Sequence, residues 1–207
     1  MLSLAAGISR GEIIDRIVAT VGDNVVTQSD VILHLRVSAF LDGDTLDLSL
    51  RRQRQAVDRL VDQALIRREV EISRYSPPDM ADVDAMLEQV RKPAMVADAD
   101  YARALKKYGI TDEQLRRALM WQLTLLRFIN YRFRPGIQVS DADIRAWYER
   151  ELAAKARSEG KKPPSLEDTR DEIEKVLTNQ RVDEALNRWL EQARTQVKLY
   201  VREEVFR

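Results

Sequence analysis

The sequence predicts a mainly α protein: a multi-helix core with a small antiparallel sheet formed by an N-terminal hairpin and a C-terminal strand. Three observations carry this expectation. Most of the 207 residues repeat apolar side chains at helical spacing. Hydroxyl residues followed three positions later by an acid or amide recur where such runs begin. Clusters of β-branched residues are confined to the two ends of the chain.

Residues 12 to 27, EIIDRIVATVGDNVVT, are dense in β-branched side chains and broken by Gly22-Asp23-Asn24, the pattern of a strand, a tight turn and a returning strand. A two-stranded hairpin is marginal by itself. The other end supplies a third strand, VKLYVREEVF, in which Leu199, Val201 and Val205 share one face at period two. Between these ends the periodicity predicts helices over about 29–41, 49–75, 79–92, 98–108, 112–133, 141–157 and 166–195. Their starts follow Thr27 with Asp30, Thr111 with Gln114, Ser140 with Asp143, and Ser165 with Asp168. In each pair the hydroxyl accepts from an orphan amide of the first turn. Asp42-Gly43, Pro77-Pro78, Gly109 and Pro135-Gly136 stand where the runs fade. Val57, Leu60, Val61 and Ala64 form one stripe. Leu115, Leu119, Gln122, Leu126 and Ile129 form a second, and Ile173, Val176, Leu177, Leu186, Trp189 and Ala193 a third. Together they predict one helical core.

Composition excludes several kinds of chemistry. The 34 basic and 34 acidic residues cancel, which disfavours a general polyanion binder and hence a nucleic-acid partner. No stretch reaches the roughly 18 apolar residues of a transmembrane helix. There is no cysteine, and His34 is the only histidine, set in an amphipathic helix. A Ser-His-Asp triad, a thiolate nucleophile and a histidine or cysteine metal cluster therefore have no support. The seven glycines form neither a phosphate loop nor a dinucleotide fingerprint. The expectation is a non-enzymatic protein with no catalytic residue, metal or cofactor, one that binds.

Two features suit binding. The run WQLTLLRFINYRFR places Trp121, Phe128, Tyr131 and Phe133 among Arg127, Arg132 and Arg134. Aromatic faces beside guanidinium groups grip an extended chain or stack bases, and the same aromatics equally suit a core. Met86, Met95 and Met120 fall in the middle helices with Met80. Their flexible thioethers fit varied apolar partners or fill gaps in a core. The candidate polypeptide-binding residues are accordingly Met86, Met95, Met120, Trp121, Phe128, Tyr131 and Phe133.

Five segments resemble the SurA-type periplasmic chaperones in order along the chain. They are IIDRIVATVGDNVVTQSDV (13–31), LVDQALIRREV (60–70), GITDEQLRRAL (109–119), VSDADIRAWYERE (139–151) and TRDEIEKVLTNQRVDEALNRWLEQAR (169–194). The fourth is similar to the segment that leads into a parvulin prolyl isomerase domain in that family. Only 25 residues separate Val139 from Ser165, and an independently folded domain needs at least about 50. Isomerase activity is therefore not carried over. The implied organisation is a helical chaperone region with its hairpin over 1–154, a short linker over 155–164, and a C-terminal helix and strand over 165–207 that complete the same core.

The resemblance implies an ATP-independent periplasmic holdase whose partners are unfolded outer-membrane or envelope polypeptides, held in an apolar helical groove. The alternative is a non-catalytic module for one folded envelope partner. MLSLAAG lacks the basic and apolar regions of a signal peptide, so an exported chain with its signal trimmed is expected. The short basic hinge, Lys155 to Lys162, also favours a homodimer made by swapping the C-terminal helix.

Overall fold

The computed structural model describes residues 15–91 and 97–207. It is mainly α with one three-stranded antiparallel sheet, in the order β2-β1-β3. Strand β1 (Ile17–Val21) turns through Gly22 and Asp23 into β2 (Asn24–Thr27). Gly22 has φ 58, the left-handed value required at the first central position of a two-residue hairpin turn. The third strand, β3 (Leu199–Val201), lies on the other side of β1, with Ala19 opposite Val201 and Val21 opposite Leu199. It is shorter than the sequence predicts. The Arg202 amide donates to the Val18 carbonyl at 2.9 Å, and Glu203–Phe206 then coil into a 3-10 turn. Val205 thus leaves the strand and still packs on the core. Residues 12–14 of the predicted hairpin lie outside the described residues.

Helix α1 (Gln28–Asp42) starts at a reciprocal capping box between Thr27 and Asp30 and stops at Gly43, with φ 70. Helices α2 (Leu50–Ile72), α3 (Met80–Arg91) and α4 (Asp98–Tyr108) follow. Helix α5 (Asp112–Phe133) opens on the Thr111 and Gln114 box. Helix α6 (Asp141–Trp147) opens on the Ser140 and Asp143 box, then runs through a π-turn (Tyr148–Ala153) into α7 (Ala154–Ser158). Helix α8 (Leu166–Gln196) is capped by the Ser165 hydroxyl, which accepts from the Asp168 amide at 3.1 Å.

Among the described residues the buried side chains form two main clusters rather than the single core the stripes predict, with Ile144, Ala153, Ile173 and Val182 buried outside both. The first joins both ends of the chain: Val18 of β1, Val57 and Val61 of α2, Phe128 of α5 and Leu190 of α8. The second gathers Phe40 of α1, Val83 and Leu87 of α3, Leu105 of α4, and Leu115 and Leu119 of α5. Helix α5 spans both and changes its buried face on the way. Leu115 and Leu119 are fully buried in the second cluster, whereas Leu126, on the same stripe, is 59% exposed. Past Thr124 the helix packs against α2 and α8, so Leu125 and Phe128 turn inward instead.

Candidate polypeptide-binding groove

Helix α1 is apolar nearly all round, from Val31 to Leu41, which requires apolar neighbours on more than one side. Val37 and Phe40 enter the second cluster. The flank facing α2 and α5 instead borders an open groove of about 770 Å³, with β2 across the end where it leads into α1. Leu33, Leu41, Leu60, Ala64, Ala118 and Leu125 give the groove its apolar lining. Val25 of β2 stands at its head, 51% exposed.

Trp121 is the predicted binding residue that lines this groove. Its indole N–H donates to Gln63 Oε1 at 2.9 Å, and the Arg67 guanidinium lies 4.1 Å from the ring centre. One ring face is therefore covered by a cation and the N–H is satisfied. The indole is fixed in place, an apolar surface with little rotamer entropy left to lose on binding.

The wall charges are mixed. Asp30 and Asp42 belong to α1, Arg67 to α2 and Arg117 to α5. Asp30 is held by its own cap, where its carboxylate accepts from the Thr27 amide at 2.9 Å. His34 also lines the groove. Burial pushes its pKa below the ordinary imidazole value, and the Arg59 cation adds to the effect. The imidazole is accordingly neutral near pH 7 and leaves the groove without a third cation.

The other predicted residues lie elsewhere. Phe128, 1% exposed, is a core residue edge-on to Tyr75, with ring centres 5.4 Å apart. It has no surface to offer in this conformation. Tyr131 is 63% exposed and leans on Tyr75 at 5.3 Å. Phe133 is half-buried against Trp189 of α8, with ring centres 6.2 Å apart. Met86 and Met120 pack at the margin of the second cluster. Met95 lies outside the described residues. The structure thus separates a set that the sequence suggests as one surface. The groove residues that sequence reading passes over, Val25, Leu33, Leu41, Leu60 and Leu125, all look like ordinary core positions. The surplus of apolar positions on α1 is the signal that a second apolar surface exists.

Among the described residues no helix is long and apolar enough to cross a membrane. No group of three or more acidic or histidine side chains there is placed to hold a metal ion. No family model matches the chain. Over 146 residues, 69% of its length, the chain is 27% identical to a protein named Chaperone SurA from Chromobacterium violaceum. It spans about a third of that relative, 34% of its length. This supports at most a distant relationship to SurA-like chaperones.

Proposed function

We propose that the protein is an ATP-independent holdase that binds unfolded polypeptides in the groove between α1, α2 and α5. The observation that carries this reading is the groove itself, an open channel of about 770 Å³ whose mixed lining includes an apolar strip of Leu33, Leu41, Leu60, Ala64 and Leu125 with a fixed indole on its wall. Burying a client's apolar side chain there contributes roughly 25 cal/mol per Å² removed from water. A few such contacts hold a segment without trapping it, so release requires no nucleotide.

The likeness to a SurA chaperone supports unfolded outer-membrane or envelope polypeptides as clients and the periplasm as the place of work. Prolyl isomerase activity forms no part of the proposal. Where the resemblance would place that domain, this chain continues from α6 through the π-turn into α7 and returns as α8. Nor is a dimer needed for the groove. A copy that swapped α8 would reuse the contacts that α8 makes here with α2 and α5, and light scattering across concentration distinguishes a monomer from such a dimer.

The test is turbidity. An equimolar amount of the protein suppresses aggregation of a urea-unfolded outer-membrane barrel diluted into buffer, and Trp121→Ala weakens the suppression without changing the circular dichroism spectrum. Turbidity that rises as fast with the protein as without it disproves the reading.

A further inference from the structure

Among the described residues the sheet carries an open edge, that of β2, and the residues of that edge line the groove. In the order β2-β1-β3, one side of β1 faces β3. The Gly22 amide donates to the Lys198 carbonyl and the Arg202 amide to the Val18 carbonyl, both at 2.9 Å. The even-numbered residues of β1 therefore bond toward β3, and the odd-numbered ones toward β2. With Val21 opposite Asn24, Thr20 opposite Val25 and Ala19 opposite Val26, the pairs at Asn24 and Val26 carry the ladder bonds. Val25 is the intervening residue, and its N–H and C=O point away from β1.

The groove is lined by Asn24, Val25 and Val26 together. Successive strand residues face opposite sides of a sheet. A cavity that touches all three meets the strand at its edge, not on one face. Beyond Val25 the edge is closed, because the Thr27 amide donates to the Asp30 carboxylate at 2.9 Å. The site thus offers one donor and one acceptor on a single residue, the complement of one closely spaced antiparallel pair, at the mouth of an apolar channel.

We propose that an unfolded polypeptide enters this groove in extended form, adding a strand to β2 through two main-chain hydrogen bonds with Val25 and laying alternate apolar side chains on Leu33, Leu60 and Trp121. The inference rests on the holdase reading and supplies its binding mode. Main-chain pairing is blind to side-chain identity, while the groove selects only for apolar residues at every second position. The acidic and basic walls balance and exclude neither sign of client charge. The edge is one residue long, and this brevity limits pairing between copies of the protein.

The probe is a short capped fluorescent peptide alternating valine with threonine or lysine, read by anisotropy. Two N-methylated versions carry the methyl groups on the valines or on the intervening residues. Strand addition predicts that one set loses about five- to tenfold in affinity and the other binds like the parent, because an extended strand turns only alternate amides toward β2. Val25→Pro removes the donor at a position outside the ladder, where proline is tolerated. It is expected to weaken the parent peptide to a similar extent and to shrink the difference between the two sets. Should that variant fail to fold, the two methylated sets against the natural protein decide by themselves. Equal affinity of both sets, or an equal loss from both, overturns strand addition. If the natural protein ignores the peptide yet suppresses barrel aggregation, strand addition fails and the holdase reading stands; if it does neither, both fail.

Discussion

Trp121, Leu125 and Phe128 stand at i, i+4 and i+7 on one stripe of α5, yet they meet different fates. Phe128 is sealed between the sheet, α2 and α8, while Trp121 faces open space. Truncating Phe128 leaves a cavity in the cluster that joins the two ends of the chain. Phe128→Ala is expected to destabilise the fold by about 3–5 kcal/mol. Tyr131→Ala, at a side chain that is 63% exposed, should cost well under half of that. Urea denaturation of the two variants checks the contrast, and equal losses would mean that Phe128 is not packed as described. Sequence periodicity points instead to the stripe of Leu115, Leu119, Gln122, Leu126 and Ile129, and it misses the switch to Leu125 and Phe128 because cover comes from residues distant along the chain.

Among the elements, α6 is the one whose anchoring depends most visibly on charge. The Ser140 hydroxyl and amide hold the Asp143 carboxylate at 2.7 and 2.9 Å, and Arg181 of α8 reaches it at 2.8 Å. These contacts, those from Ser140 first, lower the Asp143 pKa from 3.8 to about 2. The folded state therefore releases this proton more readily than the unfolded chain does. The stabilising contribution is present in full above the unfolded value and is lost as pH falls from 3.8 toward about 2. In Asp143→Asn the amide cannot titrate, so the stability gap between natural protein and variant is expected to be constant above pH ~5 and to close through that acid window. Denaturation curves at a series of pH values measure the gap, and a gap unchanged at low pH would remove Asp143 from the account. The cap is legible from Ser140 and Asp143 alone. The tie to Arg181 is not, since nothing local brings positions 143 and 181 together.

The whole molecule closes by bringing its ends together. Strand β3 pairs with β1, Leu190 of α8 enters the first cluster, and Arg54 of α2 donates to Glu203 through Nε at 2.8 and 2.9 Å. Arg194 of α8 also donates to Asp62 of α2 at 3.0 Å. Such contacts predict that the segments before and after the linker fold as one unit. A chain cut between Lys161 and Lys162 is expected to remain associated through gel filtration and to unfold in one transition. The separated 1–161 piece should lose cooperative unfolding, because the first cluster then lacks Leu190 and the sheet lacks β3. Two well-folded, independent halves would contradict this expectation.

The class of fold, the capped starts of α1, α5, α6 and α8, and the pairing of the N-terminal hairpin with a C-terminal strand are legible in the sequence, but the point where that strand stops is not. Caps, left-handed glycines and turn residues act on backbone a few positions away, so their effect is written locally. Which apolar positions are core and which are groove follows from the packing of distant elements. That packing divided one expected core in two, rotated the buried face of α5 past Thr124, and placed Trp121, but not Phe128, on the wall of the groove that β2 also lines. The physical reason is that a periodic stripe requires burial without specifying what buries it, and an opening arises where α1, α2, α5 and β2 fail to fill the space between them.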